Sequence, residues 1–314
     1  MANSVILLFP GQGSQYVGMG KNLSDGDKFF SRADEVLGYS LSQLCFEGPL
    51  DELTLTENAQ PAILTHSMAC LQSLKSFLDG ENINIELVMG HSVGEYAALV
   101  AAGVLSFKDA IHAVHMRGKF MQEASSSGLG KMVACMRVSS KEVMIACENA
   151  SQGEDLVVAA NFNAPDQTVI SGTNAACARA VSRLKEKHAR FRGIELKVSA
   201  PFHCPLMKPA REKLRGVLEK LNFQENKIGF IANRDAKLYP PGTKAEVIKE
   251  NLIYQVTDSV LWLQSMQLLP EKIACIESGP GKVLAGLTKK IDPDRLVFSL
   301  DEKGSLDNIA NMVR

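Results

Sequence analysis

The chain lacks the long apolar segments that a membrane span requires. No stretch of its 314 residues approaches about 18 consecutive uncharged apolar residues. Its first apolar run, Val5–Phe9, is too short for a signal peptide and has no basic flank. An excess of either charge is also absent, because 34 Lys and Arg stand against 35 Asp and Glu. We therefore expect no membrane association and no generally basic nucleic-acid-binding surface, although this balance allows a local basic patch.

Cysteine pairs spaced for disulfides or zinc are missing as well. The seven cysteines are an odd number, scattered between Cys45 and Cys275, and none forms a C-x-x-C pair. In a chain of this length, that pattern indicates reduced thiols in a cytoplasmic protein. Zinc bound by cysteine is equally unsupported, and we expect no metal site.

The composition is that of a soluble globular protein, because 46% of the residues are hydrophobic and 22% are charged. The length corresponds to about two domains. Short apolar runs alternate with glycine-containing loops and helical patterns, as at Val5–Phe9, Glu86–Met89, Ile228–Ala232 and Ala274–Glu277. Such alternation is typical of a parallel sheet that is buried on both faces. The sequence therefore predicts an α/β architecture.

The middle of the chain has a different pattern, which predicts an inserted subdomain. After the flexible stretch Ser125–Gly128, the sequence predicts a βαββαβ order, which is ferredoxin-like. These elements are predicted at Met132–Val138, Lys141–Ala150, Leu156–Asn161, Gln167–Ser171, Asn174–His188 and Ile194–Val198. We predict that residues 129–199 form this subdomain, inserted into an α/β-hydrolase-like body made of residues 1–128 and 200–314.

Residues Gly90–Gly94 match the pattern G-x-S-x-G, which is short and recurs by chance. The context adds information, because the motif follows the apolar run Ile85–Met89 and precedes a helical stretch at Glu95–Ala102. Strand, sharp turn and helix are the setting of a nucleophile elbow. Ser92 would then lie at a helix N-terminus, where exposed N–H groups favour a developing negative charge. We interpret Ser92 as a nucleophile, and the alternative is a purely structural turn.

A serine nucleophile needs a base, and His203 is the best candidate among six histidines. It lies in the loop Ala200–Pro205, which two prolines make rigid, and it follows Ser92 in chain order, as elbow folds require. His91 is a poor candidate, because neighbouring side chains diverge at a sharp turn. No acidic residue is an obvious third member, so we expect a backbone carbonyl to orient the ring. The alternative is a structural loop histidine.

Arg117 lies on the apolar face of a predicted helix at Phe107–Glu123, since it is three or four residues from Val114 and Met121. A guanidinium that faces inward must meet an anion, because an unpaired buried charge is very costly. Its partner is either an internal carboxylate or a substrate carboxylate held in a bidentate geometry.

Two glycine loops do not have the features of a nucleotide-binding loop. Gly11–Gln15 follows the first strand but lacks the Lys-Ser/Thr pair of a P-loop. A backbone or amide donor for an oxyanion is a better use of this loop. Ser278–Lys282 also lacks the P-loop spacing, and we interpret it as a structural turn that opens a helix.

Together, these motifs resemble the malonyl-CoA:acyl carrier protein transacylase family, the acyltransferases of fatty acid and polyketide synthesis. The resemblance runs in order over nearly the whole chain, and jointly its motifs are far more specific than G-x-S-x-G alone. The segments that carry it are Phe9–Gln15, Gln60–Ala62, Gly90–Glu95, Met116–Gly118, Asn161–Asn163, Pro201–Met207, Gln255 and Gly279–Leu284.

The resemblance implies that a malonyl group moves from malonyl-CoA to the phosphopantetheine thiol of acyl carrier protein through a malonyl-serine intermediate, in a ping-pong course. It implies that Ser92 is the nucleophile and His203 its base. The backbone carbonyl of Gln255 would orient the imidazole. Gln12 and the backbone N–H of Val93 would form the oxyanion hole.

The resemblance also assigns the acyl pocket. Arg117 would bind the malonyl carboxylate, which agrees with the helix-face argument. Phe202 resembles the aromatic residue whose bulk restricts a 2-methyl branch in malonyl-selective acyltransferases, and Asn163 would contribute to substrate binding. No cofactor is implied, because malonyl-CoA is a substrate.

The partners implied are malonyl-CoA and acyl carrier protein, and we expect the enzyme to be a cytoplasmic monomer. The carrier protein is acidic in this family, so a local basic patch is expected despite the neutral total. Candidates for that patch, each of which could equally belong to a solvated helix face, are Lys208, Arg211, Lys213 and Arg215.

Three other functions share some of these features. A serine hydrolase or thioesterase that acts on acyl-CoA would share the elbow, but it has no use for a buried cation such as Arg117 at the acyl end. A polyketide-type acyltransferase would share the whole site. A non-catalytic module that scaffolds a carrier protein would not need Ser92, His203 and Gln12 together.

Overall fold

Five parallel strands and one antiparallel edge strand form the central sheet of the structure, a computed structural model that describes residues 4–23, 26–124, 128, 130–198, 200–302 and 304–313. Side by side, the strands are β10 (Val297–Ser299), β9 (Ala274–Glu277), β1 (Ser4–Phe9), β2 (Asn84–Gly90), β7 (Gly229–Ile231) and β8 (Leu238–Tyr239). Every neighbouring pair is parallel except β7 and β8. The predicted α/β architecture is confirmed.

The strand β1 lies inside this sheet because its residues are apolar on both faces. Val5, Leu7 and Phe9 pack in one hydrophobic core, whereas Ile6 and Leu8 pack in a second core on the opposite face. Successive side chains of a strand point to opposite faces, so a continuous apolar run needs helices on both sides of the sheet.

Helices cover both faces of the central sheet. The larger core contains side chains of the long helix α4, and the smaller core contains those of α11 and α12. Within the part of the chain that the structure describes, no helix is both long and apolar enough to cross a membrane. The helices of the body are α1 (Gly26–Leu37), α2 (Leu41–Glu47), α3 (Leu50–Thr54), α4 (Thr56–Gly80), α5 (Gly94–Ala101), α6 (Phe107–Glu123), α9 (Lys208–Leu218), α10 (Ala245–Gln255), α11 (Trp262–Gln267), α12 (Val283–Ile291) and α13 (Ser305–Val313), with a 3₁₀-helix at Pro205–Met207.

A second, antiparallel sheet lies within the segment predicted as an insertion. Its elements follow the order βαββαβ, and its strands lie side by side in the order β4-β5-β3-β6, so the predicted ferredoxin-like arrangement is confirmed. The predicted flexible residues 125–127 and the boundary residues 129 and 199 lie outside the described residues. The elements are β3 (Gly130–Met136), α7 (Ser140–Ala150), β4 (Val157–Ala164), β5 (Gln167–Thr173), α8 (Asn174–Lys187) and β6 (Arg192–Glu195).

The last strand of the second sheet ends earlier than the sequence predicts. The alternating apolar and charged residues of Ile194–Val198 predict a strand there, whereas β6 spans Arg192–Glu195 and all four of its residues are exposed. The N–H of Val198 turns back to the carbonyl of Leu196 at 2.9 Å. Both of these apolar side chains line a cavity next to Ser92. The cavity shields them from water, which an exposed edge strand would not do.

The junction between β2 and α5 is too tightly packed for side chains at its two glycines. A Cβ atom on Gly90 would lie 2.1 Å from the carbonyl oxygen of Gly94, and one on Gly94 would lie 2.1 Å from the carbonyl oxygen of Phe9. Real Cβ atoms do not approach backbone that closely. The glycines therefore let the chain turn sharply and present Ser92 at the carboxyl edge of the sheet.

Replacing Gly90 with alanine is expected to destabilise the protein. The added Cβ would force the β2–α5 turn apart, so the free energy of unfolding should fall by about 1–3 kcal/mol. Gly216→Ala, in helix α9, is the matched control, because a Cβ there meets nothing within 4 Å and should stabilise the helix by up to about 1 kcal/mol. Urea-induced unfolding measures both changes. Equal stability of Gly90→Ala and the parent protein would contradict the packing argument.

Candidate active site

Three loops meet at the carboxyl edge of the central sheet, where α/β proteins bind their ligands. Gln12 follows β1, Ser92 follows β2 and Asn233 follows β7, and these three strands are neighbours in the sheet. The loop that carries Gln12 packs against the turn that carries Ser92, since a Cβ on Gly11 would lie 2.7 Å from the carbonyl oxygen of His91.

Ser92 has a strained backbone, with a φ of +52° that only glycine adopts readily. The buried side-chain amide of Asn233 braces it, because Oδ1 accepts the N–H of Ser92 at 2.7 Å and Nδ2 donates to the carbonyl of Gly90 at 2.6 Å. One amide therefore spans the turn and satisfies two backbone groups that the sharp bend leaves without partners.

His203 contacts Ser92 as the sequence predicts. The two side chains lie 2.7 Å apart between Oγ of Ser92 and Nε2 of His203. The other ring nitrogen, Nδ1, lies 2.9 Å from the carbonyl oxygen of Gln255 and 3.2 Å from that of Asp258. A carbonyl can only accept, so Nδ1 carries the proton and Nε2 accepts the serine O–H. Two backbone carbonyls, and no carboxylate, orient this imidazole.

The environment keeps His203 neutral. Burial, reinforced by the positive charge of Arg117, lowers its pKa to about 3, although the hydrogen bonds to the carbonyls of Gln255 and Asp258 oppose this shift. An imidazole that is neutral near pH 7 can accept the proton of a serine hydroxyl. The other nearby histidine, His91, donates from Nε2 to Oδ1 of Asn163 at 2.8 Å and forms no hydrogen bond to the serine hydroxyl.

Arg117 is buried beside the serine, with only 1% of its surface exposed. Its Nη1 donates to Oε1 of Gln60 at 2.8 Å, and its Nη2 donates to Oε1 of Gln255 at 3.0 Å and to Oγ of Ser92 at 3.2 Å. Burial lowers the pKa of the guanidinium, but such a group stays charged in proteins.

No carboxylate of the described chain lies within 4.0 Å of the Arg117 guanidinium, and Nε has no hydrogen-bond partner there. Of the two partners that the sequence allows, a direct internal ion pair is therefore not formed. The buried cation faces a cavity and has the chemistry to receive an anion from outside.

Gln255 and Glu95 complete a network that sequence reasoning did not assemble. The amide nitrogen of Gln255 donates to Oε2 of Glu95 at 2.7 Å and to the carbonyl of Ser92 at 3.0 Å. The same Glu95 oxygen accepts the backbone N–H of Asn233 at 3.2 Å. Burial raises the pKa of Glu95 to about 7, against the opposing effect of these hydrogen bonds.

Asn233 and Glu95 have only weak signals in the sequence. Asn233 is a polar residue just beyond the carboxyl end of a buried strand, which is where ligand sites of α/β proteins lie. Glu95 directly follows the elbow and precedes an apolar helical stretch, Tyr96–Ala102. Both are polar residues next to an apolar segment. The local sequence does not indicate which group each side chain contacts.

Of the two predicted oxyanion donors, Val93 directly follows Ser92, and Gln12 lies in the loop that packs against the Ser92 turn. Val93 is the residue before α5, and its backbone N–H donates to no acceptor among the described residues. The side-chain amide of Gln12 donates one hydrogen to Oγ1 of Thr56 at 3.3 Å and has a second hydrogen to donate, and Gln12 lines the same cavity as Ser92. Two N–H donors near a nucleophile can form an oxyanion hole.

A cavity of about 160 Å³ opens between the central sheet and the second sheet, above Ser92. Its walls combine polar groups of the site with apolar side chains. Phe202 and Asn163 are both nearly buried and both line it. The remaining walls are formed by Gly11, Gln12, His91, Ser92, Arg117, Met121, Met132, Asn161, Gln167, Val169, Leu196, Val198, His203, Val283, Leu284 and Leu287.

These groups have the chemistry for acyl transfer through a serine ester. A hydroxyl contacts a neutral base, a buried cation donates to the same hydroxyl, and candidate oxyanion donors belong to the neighbouring loops. The described residues hold no cluster of three His, Cys, Asp or Glu side chains that could bind a metal ion.

Truncating Asn233 should weaken the fold. Asn233→Ala would leave the N–H of Ser92 and the carbonyl of Gly90 without partners, so the free energy of unfolding should fall by about 2–4 kcal/mol. Asn149→Ala is the control, because that amide donates to the carbonyl of Ile145 on an exposed helix surface and should matter by less than about 0.5 kcal/mol. Chemical denaturation distinguishes the two, and equal small losses would show that the Asn233 brace is dispensable.

Comparisons with known proteins identify the family of the chain. Residues 6–268 match the family model of the acyl transferase domain. The chain is 44% identical over 296 residues to a malonyl CoA-acyl carrier protein transacylase of Bacillus subtilis strain 168. This match covers 92% of this chain and 91% of that protein. It is 40% identical over 309 residues to the Haemophilus influenzae protein of the same name, covering 96% and 97% of the two chains.

A solved structure is similar over almost the same extent. It is a malonyl-transacylase in complex with a type II PKS acyl-carrier protein, and it matches with a TM-score of 0.91 and 38% identity. The match covers 98% of this chain and 99% of that one.

Proposed function

Because the chain belongs to the acyl transferase domain family, we propose that it is a malonyl-CoA:acyl carrier protein transacylase that supplies fatty acid biosynthesis. The observation that carries this proposal is the guanidinium of Arg117, which is buried with no carboxylate partner among the described residues and lies 3.2 Å from the hydroxyl of Ser92. An acyl group that ends in a carboxylate would satisfy this cation while its thioester carbonyl meets the serine.

The first half-reaction forms a malonyl-serine ester. His203 takes the proton of Ser92 at Nε2 while Oγ attacks the thioester carbonyl, and the carbonyl oxygen becomes an oxyanion. The N–H groups of Val93 and Gln12 stabilise that charge, and each such donor lowers the barrier by about 3 kcal/mol. The C–S bond then breaks, and CoA leaves as a thiol with the proton from His203.

The second half-reaction reverses the first with another thiol. The phosphopantetheine thiol of the carrier protein gives its proton to His203 and attacks the ester carbonyl, and Ser92 regains its proton as the C–O bond breaks. The carbonyls of Gln255 and Asp258 hold the ring in one tautomer throughout. Exchange of a thioester for an ester involves no redox change, so the proposed reaction needs no cofactor.

The acceptor we propose is acyl carrier protein, because the relatives are named for it and a similar malonyl-transacylase has been solved with a carrier bound. That carrier belongs to a type II PKS, which makes a polyketide carrier the second candidate acceptor. We propose that the enzyme acts as a monomer in the cytoplasm, with the mass of one chain in light scattering.

The predicted basic patch lies on one helix, α9, and most of its members are already paired. Lys213 contacts Glu123, Arg211 contacts Glu212, and Arg215 contacts Glu250. Exposed pairs of this kind stabilise a protein by little. Acidic residues of a carrier could therefore exchange with them at small cost, and this patch remains our candidate for the docking surface.

The cavity residues suit a small, unbranched acyl chain. We propose that Phe202 limits bulk at the carbon next to the thioester and that Asn163, held by His91, contributes a polar contact. Both side chains line the cavity that Arg117 also lines.

Ser92→Ala should abolish formation of a covalent malonyl adduct. The expected result with malonyl-CoA is a mass increase of the parent protein in intact mass spectrometry, and no increase in the variant, because no other group takes the place of Oγ. Ser76→Ala, at an exposed serine of α4 whose hydroxyl donates to the carbonyl of Gln72, should acylate normally. Rapid release of free malonate without transfer to carrier protein would instead indicate a hydrolase.

Arg117→Ala should lose malonyl transfer by about 100-fold or more, since the acyl carboxylate would be buried without a cation. Transfer of acetyl groups should rise relative to malonyl transfer, because an uncharged acyl end no longer faces an unpaired guanidinium. Arg117→Lys retains the charge but not the planar fork and should lie between the two. The ratio of kcat/KM for malonyl-CoA and acetyl-CoA measures this preference. An unchanged ratio in Arg117→Ala would exclude the carboxylate-binding role.

A further inference from the structure

Glu95 is a buried carboxylate that the acyl-transfer steps do not use. Only 1% of its surface is exposed, and it lies three residues after Ser92 at the start of α5. Its recorded hydrogen bonds come from neutral donors, the amide of Gln255 and the N–H of Asn233, and both go to Oε2. An ionised carboxylate in such a place is costly unless a positive charge lies near.

Gln255 connects this carboxylate to the unpaired cation of the site. Its Oε1 accepts from Nη2 of Arg117 at 3.0 Å, and its Nε2 donates to Oε2 of Glu95 at 2.7 Å. The two ends of one amide thus contact opposite charges. Above the pKa of Glu95, the empty site therefore holds one buried positive and one buried negative charge, and the side chain of Gln255 joins them.

A few ionisable groups act on Glu95. Arg117 from α6 stabilises its charged form, and Asp235 from the loop after β7 opposes it. Tyr96, the next residue of α5, is its titratable neighbour. The strands β1 and β2 and the helix α4 also pack against α5, and no described group on them shifts its titration.

A substrate carboxylate at Arg117 would upset this balance. The site would then hold two negative charges and one positive charge, away from water. Like charges that share a buried site cannot both stay ionised without a large cost. Burial already raises the pKa of Glu95 to about 7, and the opposing effect of Arg117 would weaken once a second carboxylate neutralised that cation.

We propose that Glu95 is the counter-charge of Arg117 in the empty site and that it takes up one proton from solvent when the malonyl carboxylate binds to Arg117. No donor among the described residues contacts Oε1, so this oxygen carries the added proton while Oε2 keeps its two hydrogen bonds. Glu95 is thus a positioning residue that acts through Gln255. The inference rests on the proposed malonyl transfer.

The coupling fixes the direction of a pH effect. Below the pKa of Glu95 the empty site is already protonated, and malonyl binding needs no further proton. Above that pKa each binding event must take up a proton, so the affinity for malonyl-CoA should fall as pH rises, approaching tenfold per pH unit. His203 does not cause this loss, because the imidazole is neutral throughout that range.

The pH dependence of KM in Glu95→Gln tests the coupling. The substitution removes the charge but keeps an oxygen that can accept both hydrogen bonds. For the parent protein, KM for malonyl-CoA should rise about three- to tenfold between about pH 7 and 8.5, whereas the variant should show a flat profile. Glu277→Gln is the matched control, because Glu277 is a second buried carboxylate whose pKa burial raises to about 7 but which bonds only to the start of α12. It should retain the parent slope.

A calorimetric measurement on the parent protein keeps the proposal testable if the variant does not fold. The heat of malonyl-CoA addition in buffers of different ionisation enthalpy gives the number of protons taken up, and a large fraction of one proton is expected at about pH 8. Intact mass spectrometry of the same sample reports the adduct. An adduct without proton uptake, or equal KM slopes in Glu95→Gln and the parent protein, would overturn the inference. Absence of any adduct would instead contradict the proposed function.

Discussion

The burial of Arg117, with no carboxylate bound to it in the part of the chain that the structure describes, is the constraint on which the rest of the site depends. A guanidinium cannot shed its charge, so it must be held by neutral acceptors until an anion arrives. Gln60 and Gln255 supply those acceptors, and both are fully buried. Their amide oxygens fix the fork of the guanidinium while leaving it facing the cavity, which is the arrangement that a selective carboxylate site requires.

The parts of the fold that follow from local sequence pattern were predictable. The sequence determines β1, β9 and α6 almost to the residue. A strand buried on both faces has a continuous apolar run, whereas a helix buried on one face repeats its apolar residues every three or four positions. The C-terminal end of the strand predicted at Ile194–Val198 was predicted wrongly. Leu196 and Val198 line a cavity formed by distant parts of the chain, and no local period can contain that information.

The same distinction holds for the site. Ser92 and Arg117 could be singled out because a turn motif and a helix face expose them, and His203 because two prolines constrain its loop. The amide of Asn233 and the carboxylate of Glu95 could not, since their contacts join residues 138 to 160 positions apart. A buried polar side chain is specified by the partner that satisfies it, and that partner is defined only after the strands have been placed side by side.

Gln255 makes selection of the acyl group and activation of the serine physically inseparable. Its backbone carbonyl accepts from His203, and its side chain accepts from Arg117. In the empty site Nη2 of Arg117 also donates to Oγ of Ser92, which draws electron density away from the nucleophile. A malonyl carboxylate bound to Nη2 would compete for that hydrogen bond and return the lone pair to the hydroxyl. An acyl group without a carboxylate has no such effect, so discrimination would act on the reactivity of the serine as well as on binding.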